Sequence, residues 1–263
     1  MRTPRKVSMF TLLAAVAFAA AGIAPAMAAP SAPLAQTFTV HLDAQAHEGE
    51  PWDFLRFFPN AIEVHSGDIV RAAWAGSSAP HTASFVDTAD PEAWRAENQG
   101  PGGAYELSVP DSQLGGDDQE NDLNPAVTVP APGGCGDQAN PCVFDGSSVV
   151  NSGQQFSAPG AQPSFVAKIT APVGTYSLLC MLHPGMEMPV AVVPAGQHIP
   201  SPKDVKNLAN AQADQANRVD GAQADAQAQS VTVTTHGHGN SLWTINAGGF
   251  SNQVTAKIGR AHV

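Results

Sequence analysis

The sequence predicts an all-β protein, interrupted by a long loop-rich insertion and followed by a helix and linker. Three observations lead there. Apolar residues alternate with polar ones over short stretches, as in half-buried strands. The chain holds 24 Gly and 22 Pro but only 6% aromatics, which suits short strands joined by turns better than a helical bundle. A helical apolar stripe is read only past Pro200.

The first element is a leader. Arg2, Arg5 and Lys6 precede an apolar stretch from about Met9 to Ile23, and Ala26-Met27-Ala28 is a small-x-small cleavage site. The apolar run is too short and Ala-rich to predict a membrane span. Residues 1–28 are therefore expected to be removed, leaving an exported chain that starts near Ala29. Removal turns 12 Lys+Arg into 9 against 23 Asp+Glu, so the formal net charge moves from -11 to -14. That balance speaks against nucleic acid or an anionic membrane as partner and permits a basic protein.

Strands follow. Gln36–Val40 reads as one. "FFPNAIEVHSGDIVRAAW", Phe57–Trp74, reads as two: Ile62 and Val64 alternate with polar neighbours, Ser66-Gly67-Asp68 turns, and Val70, Ala72 and Trp74 share a face. Another strand is expected around Ala83–Val86. From Asp87 to about Pro163 the pattern disappears into Gly, Pro, Asp, Asn, Gln and Ser. That length is too great for an ordinary loop and predicts an insertion with some order of its own. Cys135 and Cys142 lie inside it, and in an oxidising compartment they are expected to form a disulfide that pins it. At Ser164 alternation returns with Phe165, Ala167 and Ile169; Tyr176, Leu178 and Cys180 then share a face, and Val190 and Val192 continue the pattern.

Past Pro200, Ser201 as N-cap and Pro202 at the first helical position predict a helix over roughly 203–219, within a 201–230 helix-and-linker segment that would act as a spacer. Residues 231–257 read as the opening strands of a second domain with nothing to pair with. The final "IGRAHV", 258–263, back-translates to a common sequencing adapter running into a stop codon. It is expected to be read-through, with the natural protein continuing.

The chemistry concentrates in "YSLLCMLHPGMEM", Tyr176–Met188. Cys180 is left without a disulfide partner, and an exported free thiol needs protection, by burial or by metal. His183 follows as C-x-x-H, then Met186 and Met188, so one loop offers thiolate, imidazole and thioether, the donors of a blue-copper site. Such a site needs a second histidine. His81 in "APHT" supplies it, just after an inward-facing strand and a Gly/Ser-rich turn.

With "FFPNAIEVHSGDIVRAAW", "APHT" and "GTYSLLCMLHPGMEMPVAVV" in that order, the chain resembles cupredoxins of the plastocyanin/pseudoazurin group over about 36–86 and 164–194. The resemblance implies a Greek-key β-sandwich spanning 29–200 with the insertion at 87–163. It also implies one type 1 copper held equatorially by His81, Cys180 and His183. For the axial place Met186 fits a C-x2-H-x2-M spacing and Met188 a C-x2-H-x4-M spacing. Apolar Val190 and Val192, four and six residues after Met186, favour Met186. Both lack the glycine usual two residues later, and the insertion departs from the small members of the family.

The function this implies is single-electron transfer between redox partners, without catalysis. A copper-delivery protein of the envelope, or the electron-entry domain of a larger copper enzyme, stands as the alternative. His236 and His238 form an H-x-H pair better read as a turn. His41, His47 and His65 are expected at the surface, and His198 has no partner.

Overall fold

The structure, a computed structural model, describes residues 34–44, 54–74, 79–110, 121–130, 133–156 and 163–222, together with the backbone of 232–236, 240–246 and 253–258. The expected leader, His47 and residues 259–263 lie outside them. Before the insertion come β1 (Thr37–Leu42), β2 (Phe57–Phe58), β3 (Ile62–His65), β4 (Ile69–Trp74) and β5 (Ser84–Val86). The segment after β5 holds α1 (Pro91–Asn98), β6 (Ser108–Pro110), β7 (Asn121–Leu123), α2 (Pro125–Thr128), β8 (Cys142–Phe144) and β9 (Val150–Asn151). Then follow β10 (Ser164–Ile169), β11 (Gly174–Leu179), β12 (Glu187–Val193), α3 (Pro202–Ala216), β13 (Thr232–His236), β14 (Asn240–Asn246) and β15 (Gln253–Ile258).

Two five-stranded sheets form a sandwich, in the orders β2-β1-β4-β10-β8 and β3-β12-β11-β5-β9. The chain crosses repeatedly between them, so β1 pairs in parallel with β4 and β12 with β3. The alternation read from the sequence is the inward face: Phe38, Val40, Leu42, Val70, Ala72 and Trp74 from one sheet meet Val64, Leu178, Met188 and Val190 from the other in one apolar cluster. The β3–β4 turn works through Gly67, at φ +105°, where any side chain is strained. Asp68 closes that turn, its Oδ2 accepting the His65 N–H at 2.8 Å.

Four findings differ from the sequence reading. First, the segment 87–163 is not wholly inserted material: β8 extends the first sheet beside β10, and β9 extends the second beside β5. Strands of three and two residues are too short to show a period. The Cys135–Cys142 disulfide is formed, as expected, and ties the loop to β8. Gly136 must be glycine there, since a Cβ would lie 2.7 Å from the Phe165 ring.

Second, α3 is no spacer. Ser201 caps it with a reciprocal Asp204 bond, as the sequence suggests. Its Val205 enters the sandwich core, while Ala209 and Ala216 pack against Ala44 and Phe58. Gln212 bonds Asn60 through both its amide atoms at 2.9 Å, and Arg56 pairs with Asp220 in the π-helical turn that continues the helix. Alanine allows the helix close to the sheet, so a stripe that reads weak in hydrophobicity still docks.

Third, His65 is buried and its Nε2 lies 2.9 Å from the Gln197 carbonyl oxygen; His41 is half-buried. Fourth, β13, β14 and β15 pair with one another as an antiparallel meander, a sheet of their own. No helix among the described residues is long and apolar enough to cross a membrane.

Candidate metal centre

His81, Cys180 and His183 come together at one end of the sandwich, their donor atoms within 4.8 Å of one another. Cys180 Sγ lies 3.8 Å from His81 Nδ1 and 3.5 Å from His183 Nδ1, and the two Nδ1 atoms are 3.2 Å apart. A point equidistant from the three is about 2 Å from each, a metal–ligand bond length. His81 and Cys180 are fully buried; His183 is half-buried and stands beside exposed Pro184 and Gly185.

Each donor is fixed by backbone. Cys180 follows β11, and His183 sits in the tight loop to β12, where the Met186 N–H donates to the His183 carbonyl at 3.1 Å. His81 is held on both sides by Gln155: its N–H donates to the Gln155 carbonyl at 3.1 Å, and its carbonyl accepts the Gln155 N–H at 2.9 Å. The Thr82 N–H donates to Cys180 Sγ at 3.3 Å, while Thr82 Oγ1 accepts the Met181 N–H at 2.7 Å. A hydrogen bond to the sulfur is one of the levers that tune a thiolate–copper bond.

The segment after β5 covers the outer face of this end. Odd-numbered Leu179 and Met181 point away from the sandwich core and pack against Val86, Trp94 of α1 and Val127 of α2. Arg95 of α1 donates to the Cys180 carbonyl at 2.7 Å and the His183 carbonyl at 3.4 Å, and approaches Glu187 at 3.5 Å. Gln99 adds a bond to the Met181 carbonyl at 2.9 Å. The Arg95→Met variant strips the ligand loop of this support and leaves Glu187 without its cation. It is expected to cost about 2 kcal/mol, roughly 4–8 °C in the melting temperature of the metal-free protein. An unchanged melt would show that α1 does not brace the loop.

Electrostatics oppose simple burial. Burial alone would depress the His81 pKa, but Asp43 and Cys180 outweigh it and raise it to about 9. Burial likewise pushes the Cys180 thiol up, yet hydrogen bonds with His183, His81 and the Thr82 N–H bring it down to about 5. The sulfur is poised as a thiolate, the form that binds metal.

The three sequence-identified donors thus converge. Met186 and Met188 are both fully buried on the same side as Cys180. His198 is exposed and is not part of the donor group; His236 ends β13, and His238 lies outside the described residues. Sequence reasoning missed Asp43, Thr82 and Arg95. Asp43 directly follows the inward-facing Leu42, so alternation puts it on the outer side, where an acid is ordinary and nothing in the sequence signals its burial.

Among solved structures, the chain is similar to auracyanin B, with 16% identity over 62% of this chain and 91% of that one, at a TM-score of 0.34. It is similar to the auracyanin of the photosynthetic bacterium Roseiflexus castenholzii, with 14% identity over 62% and 100% and a TM-score of 0.33. The plastocyanin of the fern Dryopteris crassirhizoma matches with 18% identity over 59% and 99%, at 0.26. No protein-family profile and no curated protein matches the chain.

The chain's own strand order and donor set are those of a two-sheet β-sandwich that brings two imidazoles and one thiolate together at one end and buries two methionines in the same core. The trigonal set of two imidazole nitrogens and one thiolate fits one type 1 copper and suits the hard, oxygen-seeking cations poorly.

Proposed function

We propose that this chain is an exported type 1 copper protein carrying single electrons between redox partners. In this reading His81, Cys180 and His183 are the equatorial ligands and Met186 the axial one, on a sandwich domain that includes α3. The observation that carries the proposal is the convergence of three donors around a point that fits a copper ion, with two of the three sealed from solvent. Bound copper would supply a one-electron couple in which both oxidation states share nearly one geometry. The protein's part is to fix the imidazoles and the thiolate, bond the sulfur through Thr82 and exclude water. A filled ligand set leaves no position for a substrate, which favours transfer over catalysis.

Register supports Met186. In the β11–β12 ladder Tyr176 faces Val190 and Leu178 faces Met188. The next pair outward is Cys180 with Met186, joined by the Cys180 N–H donating to the Met186 carbonyl at 2.9 Å. Side chains directly opposite approach more closely than diagonal ones, so the register favours Met186 over Met188 as the partner of the sulfur. Met186→Leu is therefore expected to shift the reduction potential more than Met188→Leu, measured by spectroelectrochemistry. The reverse ordering would transfer the axial role to Met188.

Export is supported by the leader and by the disulfide, which is at home outside the reducing cytoplasm. The acidic balance suits a basic redox partner. Titrating the purified protein with Cu(II) tests the reading. One equivalent should give an intensely blue protein through thiolate-to-copper charge transfer, with reversible one-electron reduction. A colourless product would sink the proposal.

A further inference from the structure

We infer that Asp43 is a positioning residue of this centre: a buried carboxylate that accepts the ring proton of His81, holds Nδ1 toward the metal and favours the oxidised ion. This rests on the copper reading above. His81 turns Nδ1 to the other donors, and its opposite nitrogen, Nε2, faces Asp43 Oδ2 at 3.5 Å. Both side chains are completely buried. A neutral imidazole that ligates through one nitrogen carries its proton on the other, and a buried N–H needs an acceptor. Asp43 is that acceptor.

The carboxylate is itself locked in place. Oδ1 accepts the N–H groups of Ala44 and Phe54, both at 2.8 Å, and Oδ2 accepts that of Leu55 at 3.3 Å. Asp43 adopts φ +62°, a left-handed conformation that Asp tolerates better than most residues, at the turn where β1 ends. Three backbone donors and an uncommon backbone angle are more than a chain reversal needs; together they aim one oxygen at one imidazole nitrogen. The anion also acts through space. It stabilises the more highly charged oxidised copper more than the reduced ion, so it lowers the potential. The Arg95 cation at the Cys180 carbonyl acts in the opposite sense.

Asp43→Asn keeps the shape and, with its oxygen in the Oδ1 place, still accepts the Ala44 and Phe54 N–H groups, but its amide nitrogen accepts from neither Leu55 nor His81 and the charge is gone. In the full-length chain, Cu(II) affinity should fall about 10–100-fold relative to Cu(I). At ~59 mV per tenfold for one electron, the potential should rise by roughly 60–120 mV. A variant that loses melting temperature but keeps the wild-type potential would reduce Asp43 to a turn-forming residue and overturn the inference. A second measurement, independent of the variant's folding, uses the wild type loaded with Cu(I). The His81 Nε2–H proton should resonate far downfield and exchange slowly with water. Rapid exchange at an ordinary shift would overturn the inference while leaving the copper reading intact. A wild-type protein that fails to turn blue would defeat the copper reading, and this inference with it.

Discussion

Cys180→Ser should give a colourless protein with Cu(II). The blue band arises from charge transfer out of a thiolate sulfur, and a serine hydroxyl stays protonated at neutral pH and offers no comparable donor. The two side chains are close in size, so the fold should survive. Cys180 is fully buried among Leu178, Met186 and Met188, and the Thr82 N–H that it accepts can be met by an oxygen. Loss of colour without loss of far-ultraviolet dichroism therefore isolates the ligand role. An intact intense band in this variant would mean that the thiolate has been misassigned.

Truncation after Pro200 should destabilise the copper domain markedly. It removes Val205, Ala209 and Ala216 from their packing, uncovers Phe58 and Ala44, and breaks the paired Gln212–Asn60 bonds. Burial of that order contributes roughly 3–5 kcal/mol. The melting temperature of a chain this size should then fall by on the order of 10 °C. Ala44 and Phe54, whose N–H groups hold the Asp43 carboxylate, belong to the cluster that α3 covers. The truncated protein should therefore also bind Cu(II) more weakly. Differential scanning calorimetry of both forms decides the matter: coincident melts would restore α3 to the status of a spacer.

The donor cluster was legible because it concentrates unusual side chains. Cys180, His183 and the methionines share one short stretch, and His81 follows an inward-facing strand and a Gly/Ser-rich turn. The sandwich was legible through alternation in β1, β4 and β10, where six residues are enough to show a period. What surrounds the donors was not legible, because it depends on three-dimensional register. Arg95 reaches Cys180 across 85 positions of sequence, and Asp43 meets His81 only once β1 has been laid beside β4. β8 and β9 were hidden by their brevity. The docking of α3 was hidden because alanine registers as weakly apolar, although its smallness is what lets helix and sheet approach.

His81, Cys180 and Met186 have no exposed surface, and the segment bearing α1 and α2 closes the flank behind Leu179 and Met181. Among the described residues, His183 is the one member of the donor cluster that reaches the exterior, at a rim formed by Pro184 and Gly185. Electron tunnelling weakens steeply with distance, so the direction of approach matters more than the strength of the grip. A protein bound tightly to the far end of the sandwich would exchange electrons slowly. One that touches the rim only briefly could exchange them fast. If the proposed electron transfer holds, affinity and turnover are separable quantities, and a partner identified by tight capture need not be the one that exchanges electrons.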